Sequence, residues 1–282
     1  MITEASWLEP AAAGLLGLLI GSFLNVLVYR LPKMMERQWE RECAELTGPA
    51  QAPAEQVFSL WAPRSRCPHC EAPIAWHHNI PVVSYVLLRG KCHHCHGHIR
   101  LRYPAVEMAS ACLFAFAGHR WGISLAGAAW CTFCAALLAL ALIDWDTTLL
   151  PDDIVLPLLW LGLISAQLQW TQVLLANALW GAVGGYLFLW SVYWLFKLAT
   201  GKEGMGYGDF KLLACLGAWF GWQSLIPITL LSSIIGAMVG LALKMSGGLR
   251  PGNYIPFGPF LAGAGFVCMV FGADGVQQGL GL

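Results

Sequence analysis

Apolar segments recur along almost the whole chain, from residue 11 to residue 272, with few charges between them. Of the 282 residues, 57% are hydrophobic and only 11% are charged. A soluble domain hides such residues in one core, whereas this chain spreads them in repeated blocks, which is the pattern of a polytopic membrane protein. Crossing about 30 Å of hydrocarbon takes a helix of about 20 apolar residues. Eight segments qualify as candidates: 10–29, 103–119, 123–143, 154–169, 173–196, 210–222, 224–243 and 256–272. The expected fold class is therefore all-α, with about eight transmembrane helices. The fourth segment is short and the sixth, "FKLLACLGAWFGW", is shorter still, so re-entrant or buried pieces are alternatives to full spans there.

The leading "MITEASWLEP" carries two acids and no Lys or Arg, so it lacks the positive region of a signal peptide, and the first span is expected to stay as an anchor. Net charge is zero, but its distribution is informative. With the N-terminus outside and the spans alternating, 15 Lys and Arg fall on the inner side and only Arg120 on the outer side. This positive-inside bias places the first long loop, 31–102, in the cytoplasm. The expected organisation is a first transmembrane helix at 1–30, a cytoplasmic loop domain at 31–102 and a polytopic domain at 103–282. The lipid bilayer is the expected surrounding, and no nucleic-acid partner is expected.

The loop opens with "KMMERQWERECAELT", which reads as a surface helix, and "GPAQAPAEQ" at 48–56 reads as a linker. "CPHC" at 67–70 and "CHHC" at 92–95 follow, with 21 residues between Cys70 and Cys92. Each knuckle offers two thiolates from one tight turn, so Cys67, Cys70, Cys92 and Cys95 complete a tetrahedron suited to Zn²⁺. Such a closed site has no open position, so the zinc is expected to be structural, a staple for a loop with little core. Free cysteines are the alternative, and His69, His93, His94, His96 and His98 are possible substitutes as ligands. Cys131 and Cys134 also read C-x₂-C, but inside an apolar span, where small cysteines are ordinary packing.

Carboxylates close to the membrane are costly and are functional candidates by default. Asp209 opens the sixth segment and Asp144 closes the third, and the alternation puts both at the inner face. Two carboxylates brought together cannot both ionise, so such a pair holds an acid and a base at neutral pH. Gly206 and Gly208 beside Asp209 allow backbone conformations and close approaches that other residues forbid. A plain N-cap is the alternative role for Asp209. Asp152 and Asp153 read as helix-start caps. Asp146 points elsewhere on a helix than Asp144, but chemistry alone does not choose between them. Glu107 is either a satisfied interfacial residue or part of a site, and Asn25 reads as a packing hydrogen bond.

Six motifs occur in order: "GSFLNVLVYRLP" at 21–32, "SRCPHC" at 65–70, "NIPVVSYVLLRGKCHHC" at 79–95, "RYPAVE" at 102–107, "IDWDTTLLPD" at 143–152 and "GYGDFKLLACLGAWFGW" at 206–222. Together they make the chain resemble the bacterial type 4 prepilin peptidases, GxGD-type aspartic proteases of the inner membrane. The resemblance implies cleavage of the leader from type IV prepilins or type II secretion pseudopilins at the cytoplasmic face. It implies Asp144 and Asp209 as the catalytic pair, and it alone selects Asp144 over Asp146. It also implies N-methylation of the new terminus with S-adenosylmethionine, an activity associated with the zinc-binding loop. Gly90 and Lys91 are candidates for holding that donor, with a turn presenting Cys92 as their alternative role. Competing readings are a presenilin-like intramembrane protease, a proton-coupled transporter using the same acids, and a non-catalytic assembly scaffold.

Overall fold

The computed structural model describes residues 7–47, 58–67, 69–247 and 255–281. The linker expected at 48–56 lies outside the described residues, as does Arg250 of the positive-inside count. Helices dominate, and among the described residues there is no strand, only the isolated bridges Arg66–Pro73 and Lys91–His98. The chain divides into two compact units, Met1–Gly127 and Ala128–Leu282.

In the first unit, α1 (Leu8–Thr47) merges the first apolar segment and the expected surface helix into one helix of 40 residues. Pro32 lies inside it at the change from apolar to charged sequence. After α2 (Val83–Leu87) comes α3 (Arg102–Trp121), which packs along α1. Small residues set that approach: a Cβ at Gly17 or Gly21 would run into the backbone of α3 at Ala111 or Glu107. Asn25 donates to the Tyr103 carbonyl at 3.2 Å, the packing hydrogen bond expected for it. Glu107 is buried and accepts the Val82 N–H at 2.8 Å. It therefore ties α3 to a residue whose φ of +59° is costly for a β-branched side chain.

The second unit contains α4 (Leu125–Thr147), α5 (Asp152–Gln167), α6 (Leu175–Thr200), α7 (Tyr207–Phe220), α8 (Leu225–Met245) and α9 (Gly258–Leu280). Each of the eight apolar segments thus has its own helix. Five helices are long and apolar enough to cross a membrane: α1, α4, α6, α8 together with the turn before it, and α9. The chain is a multi-pass membrane protein.

The short sixth segment is the interior of the second unit. α7 has 14 residues, about 21 Å at 1.5 Å per residue, short of a bilayer. From Leu212 to Trp219 every side chain is buried, between α5, α6 and α9. Trp219 is fully buried, donates to the Leu158 carbonyl at 3.0 Å and lies against Trp130 and Phe133 of α4. Its indole N–H is thus satisfied where no water could serve it. Against α6 the contact is backbone to backbone, since a Cβ on Gly181 would strike the Gly217 carbonyl and one on Gly217 the Gly181 carbonyl. Such small-residue faces allow the close helix approach on which membrane bundles rely.

Gly217→Val is expected to push α6 and α7 apart. Overpacking of this kind costs about 1–3 kcal/mol. A lower melting temperature of the detergent-solubilised protein checks this; an unchanged one would mean that the two helices separate freely.

Candidate functional site

Two clusters in the described residues carry chemistry, one in each unit. In the second unit, Asp144 lies in the last turn of α4 and Asp209 in the first turn of α7. Both are 4% exposed. They are close enough for the charge of Asp144 to act on Asp209. Asp146, two residues on, is exposed, as the helical repeat requires.

Asp209 is not the cap of its helix. Gly206 occupies that position, with no side-chain cap bond. Asp209 sits inside the first turn, its N–H donating to the Gly206 carbonyl at 3.3 Å. The glycines of GYGD have separable roles. A Cβ at Gly208 would stand 2.7 Å from Leu150 Cβ, so Gly208 lets the segment after α4 pack against α7. A Cβ at Gly206 would meet only the Asp209 carboxylate, at 4.0 Å, so space alone does not require glycine there. Gly201, with φ +68°, ends α6, and Lys197 of α6 holds Glu203 of the connecting loop at 2.9 Å.

One contact was not foreseen in the sequence. The backbone N–H of Gly258 donates to Asp144 Oδ2 at 2.9 Å. Gly258 is the first residue of α9, whose opening N–H groups have no partner in the helix. The helix dipole favours negative charge at that end. The available signal was "PFGPF" at 256–260, a glycine before a helix-starting proline. Asp152 and Asp153 differ from expectation as well. Neither side chain caps α5, because Pro151 is the N-cap; Asp152 instead pairs with Lys211 of α7 at 2.7 Å.

In the first unit, the sulfurs of Cys67, Cys70, Cys92 and Cys95 all lie within 4.8 Å of one another. Cys67 and Cys95 are 3.8 Å apart, too far for a disulfide. A tetrahedral ion with metal–sulfur bonds of about 2.3 Å spaces its ligands about 3.8 Å apart. The four cysteines therefore fit a metal ion. Among the described residues no histidine joins this group. Backbone amides point at the sulfurs, His69 N to Cys67 at 3.5 Å and His94 N to Cys92 at 3.4 Å. The N–H groups of Cys95 and His94 pull the Cys92 thiol down to about 6. At Cys70 the Ala72 N–H pulls the same way, but lost solvation and the other three sulfurs outweigh it and push Cys70 up to about 11. The cage is thus partly thiolate near neutral pH, and a cation would draw off the remaining protons.

Gly90 and Lys91 lie in the turn before the second knuckle. Gly90 has φ +69°, its N–H donates to the Tyr85 carbonyl at 2.8 Å, and its carbonyl accepts the Ile99 N–H at 2.8 Å. A Cβ there would stand 2.8 Å from the Tyr85 hydroxyl. The turn alone accounts for this glycine.

The class is a multi-pass helical membrane protein with two buried carboxylates in its second unit and a four-cysteine cluster in its first. The family model described as Bacterial Peptidase A24 N-terminal domain matches residues 15–121, and that of the Type IV leader peptidase family matches residues 131–241. A Stutzerimonas stutzeri protein named prepilin leader peptidase/N-methyltransferase is 52% identical over 257 residues, 91% of this chain and 89% of its own. A Pseudomonas aeruginosa protein of the same name is 52% identical over 259 residues, 92% and 89% of the two chains. One from Burkholderia pseudomallei is 49% identical over 269 residues, 94% and 86%. No solved structure matches the chain. The chain belongs to the type IV leader peptidase family.

Two outcomes follow from this geometry. In Gly258→Ala the new Cβ would meet Asp144 Oδ2 at 2.5 Å and displace the carboxylate. On the reading proposed below, in which Asp144 is a reacting group, a shift of about 1 Å costs about 100-fold in rate, so hydrolytic turnover, measured in membranes, is expected to fall by about that factor. Elemental analysis of the purified chain is expected to find one metal ion per molecule, lost in Cys67→Ser and in Cys92→Ser; metal retained in both variants would exclude the cage.

Proposed function

We propose that this protein is a bifunctional prepilin peptidase and N-methyltransferase of the bacterial inner membrane. On this reading it removes the leader of type IV prepilins or pseudopilins at the cytoplasmic face and methylates the new N-terminus. The observation that carries the peptidase half is the burial of Asp144 and Asp209 together, with the α9 N-terminus donating to Asp144. Relatives about 50% identical along nearly their whole length bear the names of both activities. The N-terminus is proposed to be periplasmic, from the charge bias of the sequence.

In the proposed mechanism, water sits between the two carboxyl groups. Oδ2 of Asp144 accepts the Gly258 N–H, and in this step the Asp144 carboxylate takes a proton from water. The water oxygen bonds to the scissile carbonyl carbon, and Asp209 gives its proton to the carbonyl oxygen. As the carbon–nitrogen bond breaks, the proton on Asp144 passes to the departing amine and Asp209 recovers its own. Both acids return to their starting states. The Lys211–Asp152 pair braces α7 against α5 beside the pair, and the Lys197–Glu203 pair steadies the 201–206 loop where a substrate segment would lie.

The transferase half is assigned to the N-terminal unit and its loop. Cys67, Cys70, Cys92 and Cys95 would hold Zn²⁺, which supplies cross-linking of the loop and no reaction chemistry, since four thiolates close its coordination. S-adenosylmethionine would supply the methyl group. Gly90 and Lys91 are read as the turn that presents Cys92 to the cage. A transporter reading is disfavoured by the position of both acids at helix ends, where midplane relays in broken helices are the rule for such proteins.

The test is cleavage of a prepilin in membranes by wild type, Asp144→Asn and Asp209→Asn, with methylation of a pre-cleaved substrate scored alongside. Both variants are expected to lose cleavage by about 100- to 10,000-fold, the range for a positioned acid or base, and to keep methylation. Wild-type cleavage by either variant would remove that aspartate from the pair.

A further inference from the structure

The first unit contains a cavity of about 520 Å³ that neither cluster uses. Sites for cofactor-sized ligands run from about 300 to 1,000 Å³. Three pieces of chain build its walls. Phe23 and Val26 of α1 form one. A second is the segment from Leu60 to Ser65, and a third holds Ile74, Ala75 and Asn79.

The walls are held by different devices. Arg30 of α1 is buried and donates to the carbonyls of Ser59 at 2.8 Å, Leu60 at 3.3 Å and Pro63 at 2.5 Å. Its guanidinium also faces the Phe58 ring at 5.8 Å. This arginine straps the second wall to α1. The third wall continues from the first cysteine knuckle. Ile74 N donates to the Ser65 carbonyl at 2.9 Å, and Arg66 pairs with Pro73 across the same stem. The thiolate cage therefore closes the hairpin on whose stem the cavity is built.

The lining has a chemical character. Phe23 and Trp61 stack at 5.9 Å and 28°, with Trp61 itself 80% exposed. Two guanidiniums, Arg30 and Arg64, border the space, and no carboxylate lines it. Among the described residues neither pairs with an acid. Arg64, Ser65 and Asn79 have no side-chain hydrogen bond there either, so their polar groups are available. An occupant should carry an anionic group for the arginines and a flat or cationic group for the aromatic pair.

We propose that this cavity is the site of the methyl donor, an adenosyl sulfonium amino acid. The proposal rests on the transferase reading above. The donor's carboxylate suits Arg64. Its adenine ring and its sulfonium cation both suit the Phe23–Trp61 pair, by stacking and by cation–π attraction. Ser65 and Asn79 offer hydrogen bonds for the adenine edge or the ribose. Gly90 and Lys91 are not in the lining, in keeping with their place in the second turn. The competing role for an exposed tryptophan in a membrane protein is an interfacial anchor, which needs no ligand.

The experiment measures binding of S-adenosylhomocysteine to the full-length, metal-loaded protein in detergent, by calorimetry. Wild type, Trp61→Ala, Trp61→Phe, Arg64→Ala and Lys91→Ala are compared, with metal content confirming a folded loop in each. Trp61→Ala and Arg64→Ala are expected to weaken binding by about tenfold or more, as for loss of a stacking or charge-assisted partner. Trp61→Phe should retain most of the affinity, and Lys91→Ala all of it. Wild-type affinity in both Trp61→Ala and Arg64→Ala, or a loss confined to Lys91→Ala, overturns the assignment. Methyl transfer to a pre-cleaved substrate by wild type is scored in parallel. If wild type transfers but the cavity variants bind normally, only the cavity assignment fails; if wild type neither binds nor transfers, the transferase reading fails with it.

Discussion

The second unit depends on the burial of two carboxyl groups in a bundle of apolar helices. Each group alone would be expelled from such a place by lost solvation. They stay because the helices bring compensating backbone to them. α9 begins at Asp144 and offers it the Gly258 N–H at 2.9 Å. α7 begins around Asp209, placing that acid among the free N–H groups of its first turn. For both helix ends to meet at one spot, α7 must lie at the centre, and its fully buried face and its glycine contact with α6 put it there.

The first unit answers a different problem, a polar loop with little apolar material of its own. Its order comes from cross-links. Four sulfurs from two turns lie within reach of one metal ion, Arg30 collects three carbonyls, and Glu107 holds the Val82 turn against α3. Each device joins residues distant in sequence, which is how a loop without a core acquires fixed walls. The strained φ at Val82 persists because Glu107 holds its N–H in place.

Much of this was legible in the sequence, for reasons that differ by residue. The apolar segments located the helices because membrane helices must be both apolar and about 20 residues long. The cysteine spacing located the cage because two turns of two ligands complete a tetrahedron. Alternation of the spans put Asp144 and Asp209 at one membrane face, but only the family resemblance chose Asp144 over Asp146. What stayed hidden were contacts made by backbone. The Gly258 N–H has no side chain to announce it, and the Gly181–Gly217 contact appears only once α6 and α7 are placed side by side. Asp152 looked like a cap because acids are common at helix starts, yet its partner, Lys211, is 59 residues away. The continuity of α1 through Pro32 was also obscured, since the change of composition there resembles a boundary.

The shortness of α7 reaches beyond the protein itself. At 14 residues it falls about 9 Å short of a typical hydrocarbon core. Because its first turn carries Asp209, the gap between that turn and the bulk aqueous phase is set by how thick the surrounding lipid is. On the proposed reading of Asp209, lipid chain length would then become a variable of the chemistry. Under that proposal a thin bilayer would bring water and the polar end of a substrate to the level of the aspartates, and a thick one would hold them away.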